Sequence, residues 1–501
     1  MKLNRILLAL AAVAACCGFA PMTAPATAAE RKPNVVFILA DDLGYRELGC
    51  FGQQLIRTPN LDRLAKQGMR FTQHYAGNAV CAPSRCVLLT GRHPGHAWIR
   101  NNRELKPEGQ QPIPDGQITL AELLRDDGYA TGAFGKWGLG GPGTEGDPLN
   151  QGFDRFFGYN CQRHAHSYYP AYLWNDDKRL PLDNDPPISG HARLAKGADP
   201  NDPRSYDRFK GTDYAPDRIN EQVLAFIRAN RDRPFFVYYP TVLPHLALQV
   251  PDEELKPYLE LGWNDPPSVL AKGSGYTPHF TPRAAYAAMI TRMDRYVGNV
   301  LDLLDKLGLA DNTIVVFTSD NGTTHIKCDA DYEFFNSVGS LRGLKGSLYE
   351  GGVRVPAIVR WPGHIATDTT TRRVTGFEDW IPTIVQLVGD SLATANDVDG
   401  VSFAPTLLGQ HQPPRPLLYR EFPGYGGQQS IRVGDWKAIR RNMRRGNRTL
   451  ELYNLADDPA ERKNVADKHP EIVNRLEATM SREHVRSELF PLDPIDAPAR
   501  K

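Results

Sequence analysis

The residues of this chain best suited to chemistry sit where apolar runs end. Asn34-Val35-Val36-Phe37-Ile38-Leu39-Ala40 leads into Asp41-Asp42, and Thr313-Ile314-Val315-Val316-Phe317-Thr318-Ser319 leads into Asp320-Asn321. A continuous apolar run reads as a strand covered on both faces. Ligands of open α/β proteins gather beyond the carboxyl ends of such strands. Three carboxylates and an amide carbonyl converging there suit calcium, which takes roughly six to eight oxygens. A softer metal would call for histidine or cysteine.

A second group is Cys81-Ala82-Pro83-Ser84-Arg85, continuing to Leu89-Thr90-Gly91-Arg92. Proline suits the first turn of a helix, where its missing N–H costs nothing. Cys81 then stands at a helix N-terminus, where backbone N–H groups and the dipole favour negative charge. On composition alone it would be a buried thiol. Farther along, Arg163, His164, His166, Tyr168 and Tyr169 cluster in a polar loop, and His325 follows Asn321 by one turn's length. Aromatic faces and polar tips together make a candidate sugar subsite.

Alternating strand and helix patterns must position these groups, which predicts an α/β fold with a large, mostly parallel sheet flanked by helices. Strands are expected at 34–40, 130–134, 234–239 and 313–318. Helices are expected from Pro59 (Thr58 as N-cap) to Gly68, and at 120–127, 283–308 and 378–389. A further helix carries Ile219, Val223, Leu224 and Ile227 on one face. Tracts 139–215 and 251–281 read as long functional loops. A Pro-rich stretch at 404–416 suggests a boundary. Short strands around 428–454 and a helix around 470–483 then make a small C-terminal α+β domain. The organisation expected is a signal peptide at 1–28, a catalytic domain at 29–410, a small domain at 411–490 and a tail at 491–501.

The 501 residues carry a formal net charge of +1, so no general grip on nucleic acid is indicated. Lys2 and Arg5, the apolar run Ile6–Ala15 and Ala26-Thr27-Ala28 form an export signal too short to span a bilayer. The protein is expected in the periplasm or outside the cell. Val13-Ala14-Ala15-Cys16 also resembles a lipoprotein box, which would tether the chain to a membrane through Cys16. Past the signal remain Cys50, Cys81, Cys86, Cys161 and Cys328, an odd number. One thiol is thereby marked for something other than a disulfide, and the other four allow three pairings or none.

Cys81-Ala82-Pro83-Ser84-Arg85 with Thr90-Gly91-Arg92 resembles the signature of the formylglycine-dependent sulfatases, of arylsulfatase and carbohydrate-sulfatase type. The resemblance runs from about Pro33 to about Asp467. It takes in Ala40-Asp41-Asp42-Leu43-Gly44, Gly135-Lys136-Trp137, Pro244-His245, Ser319-Asp320-Asn321-Gly322, Lys345-Gly346 and Glu350-Gly351-Gly352-Val353-Arg354-Val355-Pro356. It also covers Glu451-Leu452-Tyr453-Asn454-Leu455. It implies an alkaline-phosphatase-like fold and hydrolysis of a sulfated sugar or an aryl sulfate. It further implies that a maturation enzyme oxidises Cys81 to formylglycine, whose hydrate attacks sulfur. By the same resemblance, Asp41, Asp42, Asp320, Asn321 and the modified Cys81 bind Ca2+. Arg85 would hold the developing alkoxide, Lys136 and Lys345 clamp the sulfate, and His245 protonates the leaving alcohol.

One position departs from the pattern. The family usually has Lys-x-His where this chain reads Lys136-Trp137-Gly138. His164 or His166 is the expected substitute. Two other readings stay open: a phosphate or phosphonate monoester hydrolase of the same superfamily, and a non-catalytic binder of sulfated glycans. Asp320-Asn321 argues against the first, because two-metal phosphatases place histidines among their ligands. Only Gly138 favours the second.

Overall fold

Val35, Phe37 and Leu39 project to one side of their strand and Val36, Ile38 and Ala40 to the other, and both sets are buried. A strand that is apolar on both faces belongs inside a sheet layered by helices. The computed structural model, which describes residues 31–271, 274–389 and 398–496, places it there. The strands in chain order are β1 (Asn34–Ala40), β2 (Met69–Tyr75), β3 (Ala130–Lys136), β4 (Arg155–Tyr159), β5 (Tyr172–Asn175) and β6 (Lys178–Pro181). They continue with β7 (Phe235–Pro240), β8 (Thr313–Ser319), β9 (Arg354–Arg360), β10 (Thr369–Thr371) and β11 (Thr375–Gly376). The sheet runs β10-β2-β9-β8-β1-β7-β3-β4-β5-β6, with β11 on β2.

From β8 to β4 the strands are parallel, so β1, β3 and β8 end on the same edge. Antiparallel pairs lie to either side: β8–β9–β2 and β4–β5–β6. Helices Pro59–Lys66, Ala215–Ala229 and Pro282–Lys306 bury the Val36 face. Helices Cys81–Thr90, Leu120–Asp126 and Trp380–Leu387 bury the Phe37 face. Thr58 precedes its helix as expected, but its hydroxyl accepts from the Gly49 N–H (2.8 Å) instead of capping.

Three differences from the sequence reading matter for the site. The tract at 139–215 is not all loop: it contains β4, β5 and β6. The small sheet begins earlier than expected, at β12 (Leu418–Phe422), followed by β13 (Gln428–Val433), β14 (Trp436–Arg441) and β15 (Glu451–Asn454). The last residues described do not trail away, since Leu492 is buried and Asp496 pairs with His484 (3.0 Å).

Helix Pro470–Glu483 covers one face of the small sheet through Leu476 and Met480. Buried charges join this sheet to the large one. Lys437 pairs with Glu350 (2.9 Å) and Glu461 (2.8 Å), and the Tyr75 hydroxyl donates to Glu350 (2.7 Å). The described residues from Lys32 onward form one compact unit. All five cysteines among the described residues are free. No described helix is long and apolar enough to cross a membrane. The signal segment and Cys16 lie outside the described residues.

Candidate active site

The parallel register delivers the two acidic pairs together. Beyond β1, Asp42 takes a left-handed backbone (φ +66°), which a short polar side chain tolerates. Its N–H donates to Asp320 Oδ1 (3.2 Å), and the Leu43 N–H donates to Ser319 Oγ (2.9 Å). Cys81 is the first residue of its helix and is buried. Arg85 follows one turn later on the same face. Its guanidinium donates to Asp320 Oδ2 (2.7 and 3.1 Å) and to the Lys136 carbonyl, and stands 3.6 Å from Asp41.

Two lysines flank the thiol. Lys136, the last residue of β3, places Nζ 2.6 Å from Asp41 Oδ2 and 3.4 Å from Cys81 Sγ. Lys345 Nζ lies 2.7 Å from Asp42 Oδ2, 3.1 Å from His245 Nε2 and 3.7 Å from Cys81 Sγ. His245 Nδ1 lies 2.5 Å from the Leu246 carbonyl, so Nδ1 carries the proton and Nε2 is left to accept. Tyr168 holds this strap by donating its hydroxyl to the carbonyls of Val242 (2.8 Å) and His245 (2.5 Å).

Charge is finely balanced here. Burial alone would raise Asp41, but Lys136, His245 and Arg85 outweigh it and hold the carboxyl far below its usual range. Burial and then the charge of Asp41 push Asp320 the other way, to about 7. Burial drives the Cys81 thiol up to about 12, with the two lysines offsetting only part of it. The thiol is therefore protonated at neutral pH and weakly nucleophilic. Burial and the neighbouring Lys345 lower His245 to about 4.

The donor set also fits a hard cation. Asp41 and Asp42 present carboxylate oxygens within 4.8 Å of each other, and Cys81 and His245, softer donors, lie in the same cluster. Asn321 donates its amide N–H to Asp42 (2.7 Å) and Gly322 (3.0 Å), while its Oδ1 is buried with no hydrogen-bond partner. A buried carbonyl oxygen left without a donor costs free energy unless something positive faces it. Carboxylate oxygens and an amide oxygen are ligands for calcium.

The structure thus brings Cys81, Arg85, Lys136, His245, Lys345, Asp41, Asp42, Asp320 and Asn321 together. His325 stands near Lys345, lining the same cavity. The loop after β4 is arranged differently. His164 turns to Glu108 (3.2 Å), beside a cavity that Arg163 also lines. His166 stacks on the ring of His245, with centroids 4.6 Å apart, and its Nδ1 lies 2.9 Å from His191 Nε2. Tyr168 is fully buried, and Tyr169, largely buried, lines a separate cavity of about 520 Å³ with Phe209, Leu248 and Phe280. The position left empty at Gly138 is filled by Gln162 rather than by a histidine. A Cβ on Gly138 would stand 1.8 Å from Gln162 Nε2. Gln162 has no motif around it. Asn102, whose Oδ1 accepts from the Ala82 N–H (3.0 Å) next to Cys81, is equally unmarked in the sequence.

A family profile described as Sulfatase matches residues 33–390, and one described as N-sulphoglucosamine sulphohydrolase, C-terminal, matches residues 344–486. The chain belongs to the sulfatase family. Sulfuric ester hydrolysis is accordingly its activity. It is 33% identical to human arylsulfatase A over 90% of this chain and 87% of that protein. It is 30% identical to N-acetylgalactosamine-6-O-sulfatase of Bacteroides thetaiotaomicron over 89% of this chain and 92% of that sulfatase. Among solved structures it resembles Ps i-CgsB in complex with k-i-k-neocarrahexaose (TM-score 0.73, 26% identity), over 90% of this chain and 92% of the other. In this sulfatase, the second profile begins at the loop of Lys345 and takes in the small sheet, so the site's rim and the C-terminal layer form one continuous stretch of chain.

Proposed function

We propose that this sulfatase hydrolyses sulfate esters on carbohydrate, at a nucleophile made by oxidising Cys81 to formylglycine and with calcium held by Asp41, Asp42, Asp320 and Asn321. The observation that carries the reading is the buried, unpartnered Asn321 Oδ1 on a side chain held against Asp42, which with Asp41 clusters beside Cys81. Hydrated formylglycine supplies a hydroxyl that can attack sulfur. Calcium supplies a charge that polarises the sulfate and acidifies that hydroxyl. Everything else is work for the chain's own side chains.

Lys136 and Lys345 approach Cys81 at 3.4 and 3.7 Å, so a sulfate presented to residue 81 meets an ammonium on each side. Fixed positive charges of this kind favour the crowded transition state without having to reorganise. Arg85, locked on Asp320, steadies negative charge at the foot of the nucleophile. His245 Nε2 faces Lys345 as an acceptor. A bound sulfate ester adds negative charge beside it, which raises its proton affinity. His245 can then take a proton at Nε2 and pass it to the leaving alcohol, with Leu246 fixing the ring.

Carbohydrate is the favoured substrate class because the similar proteins include a sulfatase named for N-acetylgalactosamine and a structure holding a neocarrahexaose. Export to the periplasm or beyond fits the charge and apolar pattern of residues 1–28, with lipidation at Cys16 as the tethered variant. Modification of Cys81 requires a maturation enzyme as partner.

The test is a mass spectrum of the peptide carrying Cys81, from protein made in a host that has the maturation enzyme. Conversion of thiol to aldehyde lowers its mass by about 18 Da. The same preparation should release sulfate from sulfated sugars much faster than phosphate from the matching phosphate esters. An unmodified thiol in fully active protein would overturn the proposed nucleophile.

A further inference from the structure

The turn joining β12 to β13 reaches back to the sulfate cradle and carries an aromatic ring into solvent. Its sequence is Gly424-Tyr425-Gly426-Gly427. Tyr425 is 60% exposed, and its backbone is left-handed (φ +48°). That conformation is strained for a bulky residue, and strain of this kind concentrates at ligand clamps.

The ring is held at a set place. Gln428, at the start of β13, donates its amide to the Gly346 carbonyl (2.7 Å) and accepts from the Leu348 N–H (3.1 Å). One side chain thus ties the tyrosine turn to the loop that carries Lys345. Gly346 (φ +84°) lies against the ring, and a Cβ there would stand 3.0 Å from it. His325 meets the same ring edge-on, with centroids 5.9 Å apart and planes at 84°. Lys345, Gly346, Tyr425 and His325 line one cavity of about 470 Å³, and His325 also lines another of about 720 Å³. Either volume is in the range that encloses a drug-sized ligand. The trough leading away from Lys345 therefore has room for more than the ring that bears the sulfate.

We propose that this trough takes the glycan chain beyond the sulfated sugar, with Tyr425 as the platform for the neighbouring ring and His325 as its edge. The inference rests on the sulfatase reading above and narrows its substrate class to oligo- and polysaccharides. A pyranose has an apolar face of C–H groups that lies flat on an aromatic ring, and hydroxyls that reach an imidazole nitrogen or a phenol. An exposed tyrosine on a fixed turn provides that surface at small entropic cost, since only two side-chain torsions have to be held.

The experiment compares kcat/KM on 4-nitrophenyl sulfate, on sulfated disaccharides and on matching hexasaccharides, prepared from 6-sulfated chondroitin and from carrageenan. Wild type should favour at least one hexasaccharide over its disaccharide, and Tyr425→Phe should keep that preference. Tyr425→Gly, which suits a left-handed backbone and should fold normally, should cut the hexasaccharide-to-disaccharide ratio by about tenfold, as loss of one ring-stacking contact implies. An unchanged ratio in Tyr425→Gly overturns this proposal and leaves the sulfatase reading standing, as does wild-type turnover of the aryl sulfate alone. Release of sulfate from none of the probes by modified protein overturns both.

Discussion

Restoring the histidine that the family usually carries at position 138 should damage this protein, and the structure says by how much. Gly138 has φ +86°, and its missing Cβ would stand 1.8 Å from Gln162 Nε2 and 2.9 Å from Gln162 Cδ. Gln162 is buried, and neither of its amide atoms has a hydrogen-bond partner. Any side chain at 138 holds a left-handed backbone at a cost of about 1–2 kcal/mol. Displacing a packed neighbour adds about 1–3 kcal/mol. Gly138→His should therefore lose about 2–5 kcal/mol. Gln162→Ala removes the collision and leaves the backbone cost. In a double-mutant cycle, measured from denaturant midpoints and slopes, the pair should recover about 1–3 kcal/mol relative to additivity. Additive effects, with no coupling between 138 and 162, would refute the account of why histidine is absent.

Two further outcomes follow from buried charge. Lys437→Met leaves Glu350 and Glu461 buried without their shared cation, which should cost about 3–5 kcal/mol in urea unfolding and be largely recovered by adding Glu461→Gln; a loss under about 1 kcal/mol contradicts the ion pairing. Acid should weaken the fold through His74, whose pKa falls from 6.5 to about 3 because burial outweighs the pull of Glu378. Its Nε2 accepts from Trp380 Nε1 (3.3 Å) while Nδ1 faces Thr375 (2.8 Å), so the native ring is neutral. The unfolded chain takes its proton first as pH drops, and stability from this group is lost below about 6.5 at up to about 1.4 kcal/mol per pH unit. His74→Gln should flatten the stability curve between about pH 6 and 4 by that slope, and parallel curves for variant and wild type would show that His74 does not titrate as described.

The strands that build the site were legible because their signals are local. Asp41-Asp42 and Asp320-Asn321 directly continue apolar runs, and Cys81 with Pro83 announces a helix start. A continuous apolar run and a proline in the first turn of a helix are set by neighbours in the chain, so each is visible within its own segment. Lys136, Lys345, His245 and Arg85 were named through family resemblance, since a lone lysine or histidine carries no local mark of its surroundings.

Other features depended on which elements become neighbours. β2 and β9 alternate weakly and find their place by pairing with each other, β9 also with β8 and β2 also with β10 and β11. His164 and His166 sit in one short turn, yet one faces Glu108 and the other stacks on His245, because residues two apart in a helical turn point to different sides. Gln162 meets Gly138 only because β3 and β4 pair in parallel and continue to Gly138 N–H and Asn160 O (3.2 Å). Tyr425 reaches Lys345 only because the small sheet docks where Gln428 can grip the Lys345 loop. Local runs and motifs already specify the chemical groups and the strand ends that present them. Tertiary structure decided which side chain fills each gap and which wall the substrate meets, because those contacts depend on sheet order and register, properties no single segment carries.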